Sequence, residues 1–303
     1  MTAQGTTSPT DPFTQRLTRR GALGALAGFG ALALAACGSD KAATASTTAA
    51  DTSLPGTSSL SGTSSPPTST VATTGDTTAA TAPATVDTTA AAACLTPPEE
   101  TAGPFPADGT NDNGEGEEAN VLDDAEAMRS NITASLDGSG VQPGVPFTLN
   151  VAVMDAATGC VPMPGAAVYV WHANRDGAYS VYNVGMNPGH SGDSYLRGVQ
   201  IADAEGNLSF TTILPGRYSG RASHIHFTVF TDATLANRLL TSQMAFDDAQ
   251  ADAWYAAADG YATSVGGSHN SQDNIFADGV DEQMLTITGD VSTGLVGSIA
   301  IGI

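Results

Sequence analysis

Between Phe147 and Val153 the sequence runs Phe-Thr-Leu-Asn-Val-Ala-Val, with apolar side chains at every second position. This period-two pattern makes an extended strand with one buried face, and it fits no helical stripe. Runs of strand character recur at Ile132 to Leu136, Ala166 to His172, Leu208 to Ile213, His224 to Phe230, Leu239 to Phe246, Met284 to Thr288 and Leu295 to Ile301. Turn residues separate them, and Pro215-Gly216 is a strong turn pair. One short helix is expected, capped by Asp247 or Asp248, filled by Ala251 to Ala258 and ended at Gly260. Many short strands with little helix make the class all-β, and the expected architecture is a β-sandwich with long loops. Asn183 to Gly198, rich in Gly, Ser and Asn, is expected to form an irregular loop over one end of it.

The strands begin only after the first third of the 303 residues. Residues 1–37 have the layout of a twin-arginine export signal, with Arg19-Arg20 ahead of an apolar run from Gly21 to Ala36. Leu34-Ala-Ala-Cys37 resembles a bacterial lipoprotein box, which makes Cys37 the expected lipidated residue. The apolar run, about 16 residues, falls short of the roughly 20 that span a bilayer; an uncleaved membrane anchor is the alternative. Residues 38–93 are dominated by Thr, Ser, Ala and Pro and hold no aromatic side chain. Such a stretch cannot bury enough apolar area to offset its chain entropy, and a disordered linker is expected. The folding unit is expected over 94–303, about 210 residues, enough for one core. Export with lipidation places the expected protein on the outer side of a bacterial cytoplasmic membrane, touching lipid only through its anchor.

Of the 31 acidic residues in the chain, all but five follow Cys94, against only Arg129, Arg175, Arg197, Arg217, Arg221 and Arg238 as basic ones. A surface this negative excludes nucleic acid and anionic headgroups as partners. With Cys37 assigned to lipid, Cys94 and Cys160 remain as an even pair, and in an exported domain a disulfide is expected. Metal-binding thiols are the rival reading. Nothing in the sequence fixes an oligomeric state.

Two phenols and two imidazoles stand close together in the middle of this unit. Tyr179 closes the run Trp171-His-Ala-Asn-Arg-Asp-Gly-Ala-Tyr, Tyr218 follows the Pro215-Gly216 turn, and His224-Ile-His226 opens the next strand. Residues two apart in a strand face one way, so His224 and His226 point together, with Ile225, Phe227 and Val229 as an apolar row behind them. The five-residue link lets Tyr218 fold back beside the strand. Together these donors can make a four-ligand site with hard, anionic oxygens, a set that favours ferric iron. Taken singly they have plainer readings, as a solvated His-x-His pair and as tyrosines packed at a sheet end with their hydroxyls in water.

Several segments, in order, resemble the intradiol ring-cleavage dioxygenases, the catechol and protocatechuate dioxygenase family. They are Pro98-Glu-Glu-Thr-Ala-Gly-Pro-Phe105, Gly165 through Tyr179-Ser180, Phe210 through Tyr218, Arg221-Ala-Ser-His-Ile-His-Phe227, Thr241-Ser-Gln-Met-Ala-Phe246 and the tail Asn270 to Phe276. The resemblance implies a non-haem Fe(III) centre with Tyr179, Tyr218, His224 and His226 as ligands. It also implies Arg221 and Gln243 at the substrate pocket, and Tyr218 as the ligand that leaves the metal on taking a substrate proton. The implied substrates are a small aromatic diol and dioxygen, with cleavage between the hydroxylated carbons to a muconate-type diacid. The gap between Tyr218 and His224 is shorter than in well-studied members, so one pocket wall is trimmed. Ser242 and Ala245 also vary the glutamine strand.

Two other functions are compatible with a sandwich. One is a non-enzymatic adhesion or binding module on the cell surface. The other is a zinc hydrolase built on the histidine pair, for which no third ligand is evident. His172 is expected to pack or to orient the Tyr179 loop, while His190 and His269 are expected in solvent. The acidic cluster Glu115-Gly-Glu-Glu118 with Asp123-Asp124 lacks the spacing of a calcium loop and is expected to be a solvated surface.

Overall fold

The computed structural model describes Cys94–Ile303; the signal-like segment, Cys37 and the Thr/Ser-rich stretch, residues 1–93, lie outside the described residues. The elements are β1 (Asp108–Asp112), β2 (Glu118–Asn120), β3 (Pro146–Asp155), β4 (Val161–Pro162), β5 (Ala167–Trp171), β6 (Arg197–Ile201), β7 (Asn207–Ile213), β8 (His224–Phe230), β9 (Arg238–Ala245), α1 (Asp248–Ala257), β10 (Thr286–Asp290) and β11 (Gly294–Gly302). In the first main sheet β3 pairs in parallel with β11 and antiparallel with β7 and β4, and β10 lies outside β11. The second sheet is antiparallel in the order β6-β5-β8-β9. β1 and β2 form a small pair of their own.

The alternation in β3 does what its pattern requires. Phe147, Leu149, Val151 and Val153 meet Val168 and Val170 of β5 and Ile225, Phe227 and Val229 of β8 in one buried cluster. Each such side chain contributes about 1.5–3 kcal/mol on burial, and together they fix the register of both sheets, since a slip of one residue would turn the row outward. The sandwich expected from the pattern is the fold observed, with one short helix. Asp247 caps that helix by accepting from the Gln250 N–H, and Ala258 follows its last residue.

The second sheet is covered on its outer face as well. A second apolar cluster joins Tyr169 and Trp171 of β5 to Phe105, Tyr179, Tyr182 and Tyr218. Every residue of β5 and of β8 is buried. His224 and His226, on the outer face of β8, therefore lie between layers and not in solvent, because the segment before β1 and the loops carrying the two tyrosines lie over them.

Ile132–Leu136 is not a strand. Asn131 and Asp137 satisfy the backbone N–H groups of Thr133 and Ser139 through their own side chains, which holds turns on either side. β6 takes over the end of the stretch expected to be loop, since Arg197 and Gly198 pair with Trp171 and Val170. Cys94 and Cys160 form a disulfide that ties the start of the described chain to the turn after β3.

Candidate metal centre

Two glycines let the chain bring its donors together. Gly177, at φ +85°, sits where any Cβ would collide with the Arg217 carbonyl, so the loop ahead of Tyr179 lies directly against the residue ahead of Tyr218. Asn174 holds that loop in shape by accepting from the N–H groups of Asp176 and Ala178, both at 3.0 Å. Gly103, at φ +69°, packs over His226, where a Cβ would stand 3.2 Å from Cε1. Asn187 then grips Tyr179 from outside, accepting from its N–H at 2.6 Å and donating to its carbonyl at 2.8 Å.

The four side chains named from the sequence meet at one place. The Tyr179 hydroxyl is 3.0 Å from His224 Nε2, and His224 Nε2 is 3.1 Å from His226 Nε2. The Tyr218 ring stands edge-on to Tyr179 with centroids 5.6 Å apart, and Phe105 lies against both phenols at 5.1 and 5.5 Å. Trp171 stacks on the His226 ring, with centroids 4.9 Å apart and planes 4° from parallel. Across the strands, His226 is flanked by Trp171 on one side and Gln243 on the other. Tyr179 is 1% exposed and Tyr218 8%, so Tyr218 is the phenol at the mouth.

The chemistry of this set suits a cation. His224 Nδ1 lies 2.7 Å from the Ala222 carbonyl and must carry the proton there, which leaves Nε2 as a lone pair aimed at Tyr179 and His226. Buried His226 Nδ1 has no partner at all. Burial pushes His224 down to about 3 and His226 well below its ordinary value, with nearby cationic groups adding to the effect, so both imidazoles are neutral and able to ligate. Burial also raises both phenols, and Arg221 works in the other direction on each. A trivalent ion supplies the positive charge that would favour their phenolates. Among the described residues no three His, Cys, Asp or Glu side chains converge, and the oxygen set against the histidine pair is the Tyr179 hydroxyl.

His172 takes no part. Its Nδ1 is 2.8 Å from the Ala173 carbonyl and its Nε2 2.7 Å from Thr212 Oγ1, so both nitrogens are used in packing. His190 is only about a quarter exposed, at 27%, and binds Asp193; expected in solvent, it is instead held against Tyr195. His269, at 41%, meets Asp252. Burial also lowers His172, to about 4. An unfolded chain takes up the protons that buried His172, His224 and His226 refuse, so metal-free stability is full above about pH 6.5 and falls as the pH is lowered toward 4. Each group removes up to about 1.4 kcal/mol per pH unit. Urea midpoints of metal-free protein at pH 7 and pH 5 measure the loss, and equal midpoints would contradict neutral burial of these rings.

Arg221 and Gln243 stand together beside this cluster. Arg221 Nη2 donates to Gln243 Oε1 at 2.7 Å, and Gln243 Nε2 donates to the Thr101 carbonyl at 3.0 Å. Three contributors lay beyond the sequence reading: Trp171 as the plate under His226, Asp273 as the partner of Arg221, and Arg197 beneath the Tyr179 loop. Trp171 had a usable signal, since it shares its strand face with Tyr169. Asp273 lay within the resembling tail Asn270 to Phe276 without being singled out, and Arg197 had no signal.

A family model described as Dioxygenase matches residues 122–274, which include all four donors. Among similar proteins, catechol 1,2-dioxygenase 1 of Acinetobacter lwoffii is 33% identical over 100 residues, 27% of this chain and 30% of that protein. The protocatechuate 3,4-dioxygenase beta chain of Burkholderia cepacia is 32% identical over 132 residues, 41% of this chain and 54% of that one. The matches thus span between about a third and a half of these relatives' length. In fold, an intradiol ring-cleavage dioxygenase from Tetranychus urticae superposes with a TM-score of 0.54 at 24% identity, covering 69% of this chain and 95% of that one. With half its length inside the family model, the chain belongs to the intradiol ring-cleavage dioxygenases.

Proposed function

We propose that the protein is a non-haem Fe(III) dioxygenase that opens a catechol-type ring between its two hydroxylated carbons and places both atoms of dioxygen in a muconate-type diacid. The observation that carries this reading is the meeting of two phenols with two neutral imidazoles in a buried layer. Tyr179, Tyr218, His224 and His226 would hold the metal, in a family that is generally iron-dependent. Bound ferric iron supplies a Lewis-acidic, redox-active centre that makes a catecholate reactive toward dioxygen.

The side chains divide the remaining work. Tyr218 is the more exposed of the two and, ionised to the phenolate when it holds the metal, would accept a proton from the incoming diol and become a neutral phenol. Tyr179, held at its backbone by Asn187, stays in place. Trp171 and the Ala222 carbonyl fix the two imidazole planes. Phe105 keeps water from the phenols. Arg221 offers a permanent cation for negative charge that develops on the diol during attack, and Gln243 steadies it.

The Arg19-Arg20 pair and the Leu34 to Cys37 box support export as a lipoprotein on the outer side of a bacterial cytoplasmic membrane. The Cys94–Cys160 disulfide agrees with an oxidising compartment.

Purified protein loaded with iron is expected to be wine-red from phenolate-to-iron charge transfer. The band is expected to move when catechol is added, and one dioxygen is consumed per diacid formed. A colourless protein that takes up zinc but not iron, and leaves catechol intact, would overturn the reading.

A further inference from the structure

Asp273 is one acidic residue among many in the sequence, yet its side chain is completely buried. Arg221 Nε donates to its two oxygens at 2.8 and 2.7 Å. The backbone N–H groups of Ala222 and Ile275 donate to the same carboxylate at 2.9 and 3.0 Å. Arg221 passes the contact on through Gln243 to the Thr101 carbonyl, and Gln243 is the cross-strand neighbour of His226. The Phe276 ring flanks the guanidinium, 5.7 Å from its carbon. Nη1 is the guanidinium nitrogen left without a hydrogen bond among the described residues. One continuous chain of hydrogen bonds, charge-assisted as far as Gln243, therefore runs from the tail of the fold to the segment that covers His226.

We propose that Asp273 is a positioning residue for ring cleavage, holding Arg221 in a single orientation beside the four-donor cluster with one nitrogen left to face the diol. The inference rests on the function proposed above. An arginine free to rotate would have to be ordered during attack, whereas one locked by a buried carboxylate is ordered beforehand, which is what stabilisation of developing charge needs. Burial strengthens the lock, because no water competes for the carboxylate. The plainer role for Asp273 is to anchor the tail through Ala222 and Ile275, and that role does not require the arginine.

The two roles separate in a double-mutant cycle on the full-length, iron-loaded protein. Asp273→Asn keeps an oxygen for the backbone donors but loses the charge and half of the grip on Arg221. It is expected to keep the visible band and to bind catechol without dioxygen within about threefold of wild type, while kcat falls by about ten- to a hundredfold. In an Arg221→Ala background the same change is expected to cost less than about threefold, because the group it positions is gone. A loss below about fivefold in the wild-type background, or an equal loss in both backgrounds, would overturn the proposal. A wild-type protein without colour or turnover would remove the proposed function itself, and that outcome is seen before any variant is made.

Discussion

Leucine in place of His226 is expected to abolish stoichiometric iron binding and to lower turnover on the order of a thousandfold, about 4 kcal/mol of lost transition-state stabilisation. The same variant is expected to be no less stable than the wild-type protein when both are metal-free. His226 is buried, its Nδ1 has no partner, and its Nε2 faces another imidazole nitrogen. A buried polar atom left unsatisfied costs about 1–3 kcal/mol, and leucine of similar size removes that cost while keeping contact with Trp171 and Gly103. Metal analysis, steady-state rates and urea midpoints of both apo-proteins check the three parts. Retention of more than about a tenth of the turnover with full iron content would show that His226 is not a ligand.

The opposite balance is expected at Arg197, which is 1% exposed and has no carboxylate partner among the described residues. Its guanidinium is satisfied by neutral acceptors: the Ser180 hydroxyl and carbonyl, the carbonyls of Phe105 and Pro106, and the Tyr169 hydroxyl. It therefore joins the segment that covers the phenols to the loop that carries Tyr179. Arg197→Ala is expected to destabilise the protein by about 3–5 kcal/mol, since several carbonyls lose their donor and a large buried side chain leaves a cavity. Phe105 should loosen with it, and the charge-transfer band should broaden. Denaturant unfolding measures the first effect; a loss below about 1 kcal/mol would mean that water replaces the guanidinium without penalty.

The parts of this molecule that were legible beforehand are those set by short-range chemistry. Alternation in β3 marked the row that faces the core, Asp247 marked the start of the helix, which stops at Ala257 ahead of the expected Gly260, and the His-x-His step put both imidazoles on one side of β8. What stayed hidden depends on long-range closure. Ile132 looked like a strand residue, but Asn131 and Asp137 bend the chain on both sides of it. Arg197 stood near the end of the stretch expected to be loop, and its burial follows only when Phe105, Tyr169 and Ser180 arrive from three distant segments. Asp273 lies 52 positions from Arg221; the resemblance covered its segment, Asn270 to Phe276, but did not single out the carboxylate or pair it with the arginine. The histidines show the same limit from the other side: the strand gave their direction, but only the overlying tyrosine loops make their surroundings dry.

The crosslink between Cys94 and Cys160 has a mechanical consequence. It closes a loop over a sequence separation of 66, and Thr101, Gly103 and Phe105 all lie inside that loop. Tension applied upstream of Cys94 passes through the sulfur bridge to the turn after β3 and bypasses the span that roofs the phenols. Chemical reduction would reroute the same pull straight along that span, toward Thr101 and its contact with Gln243.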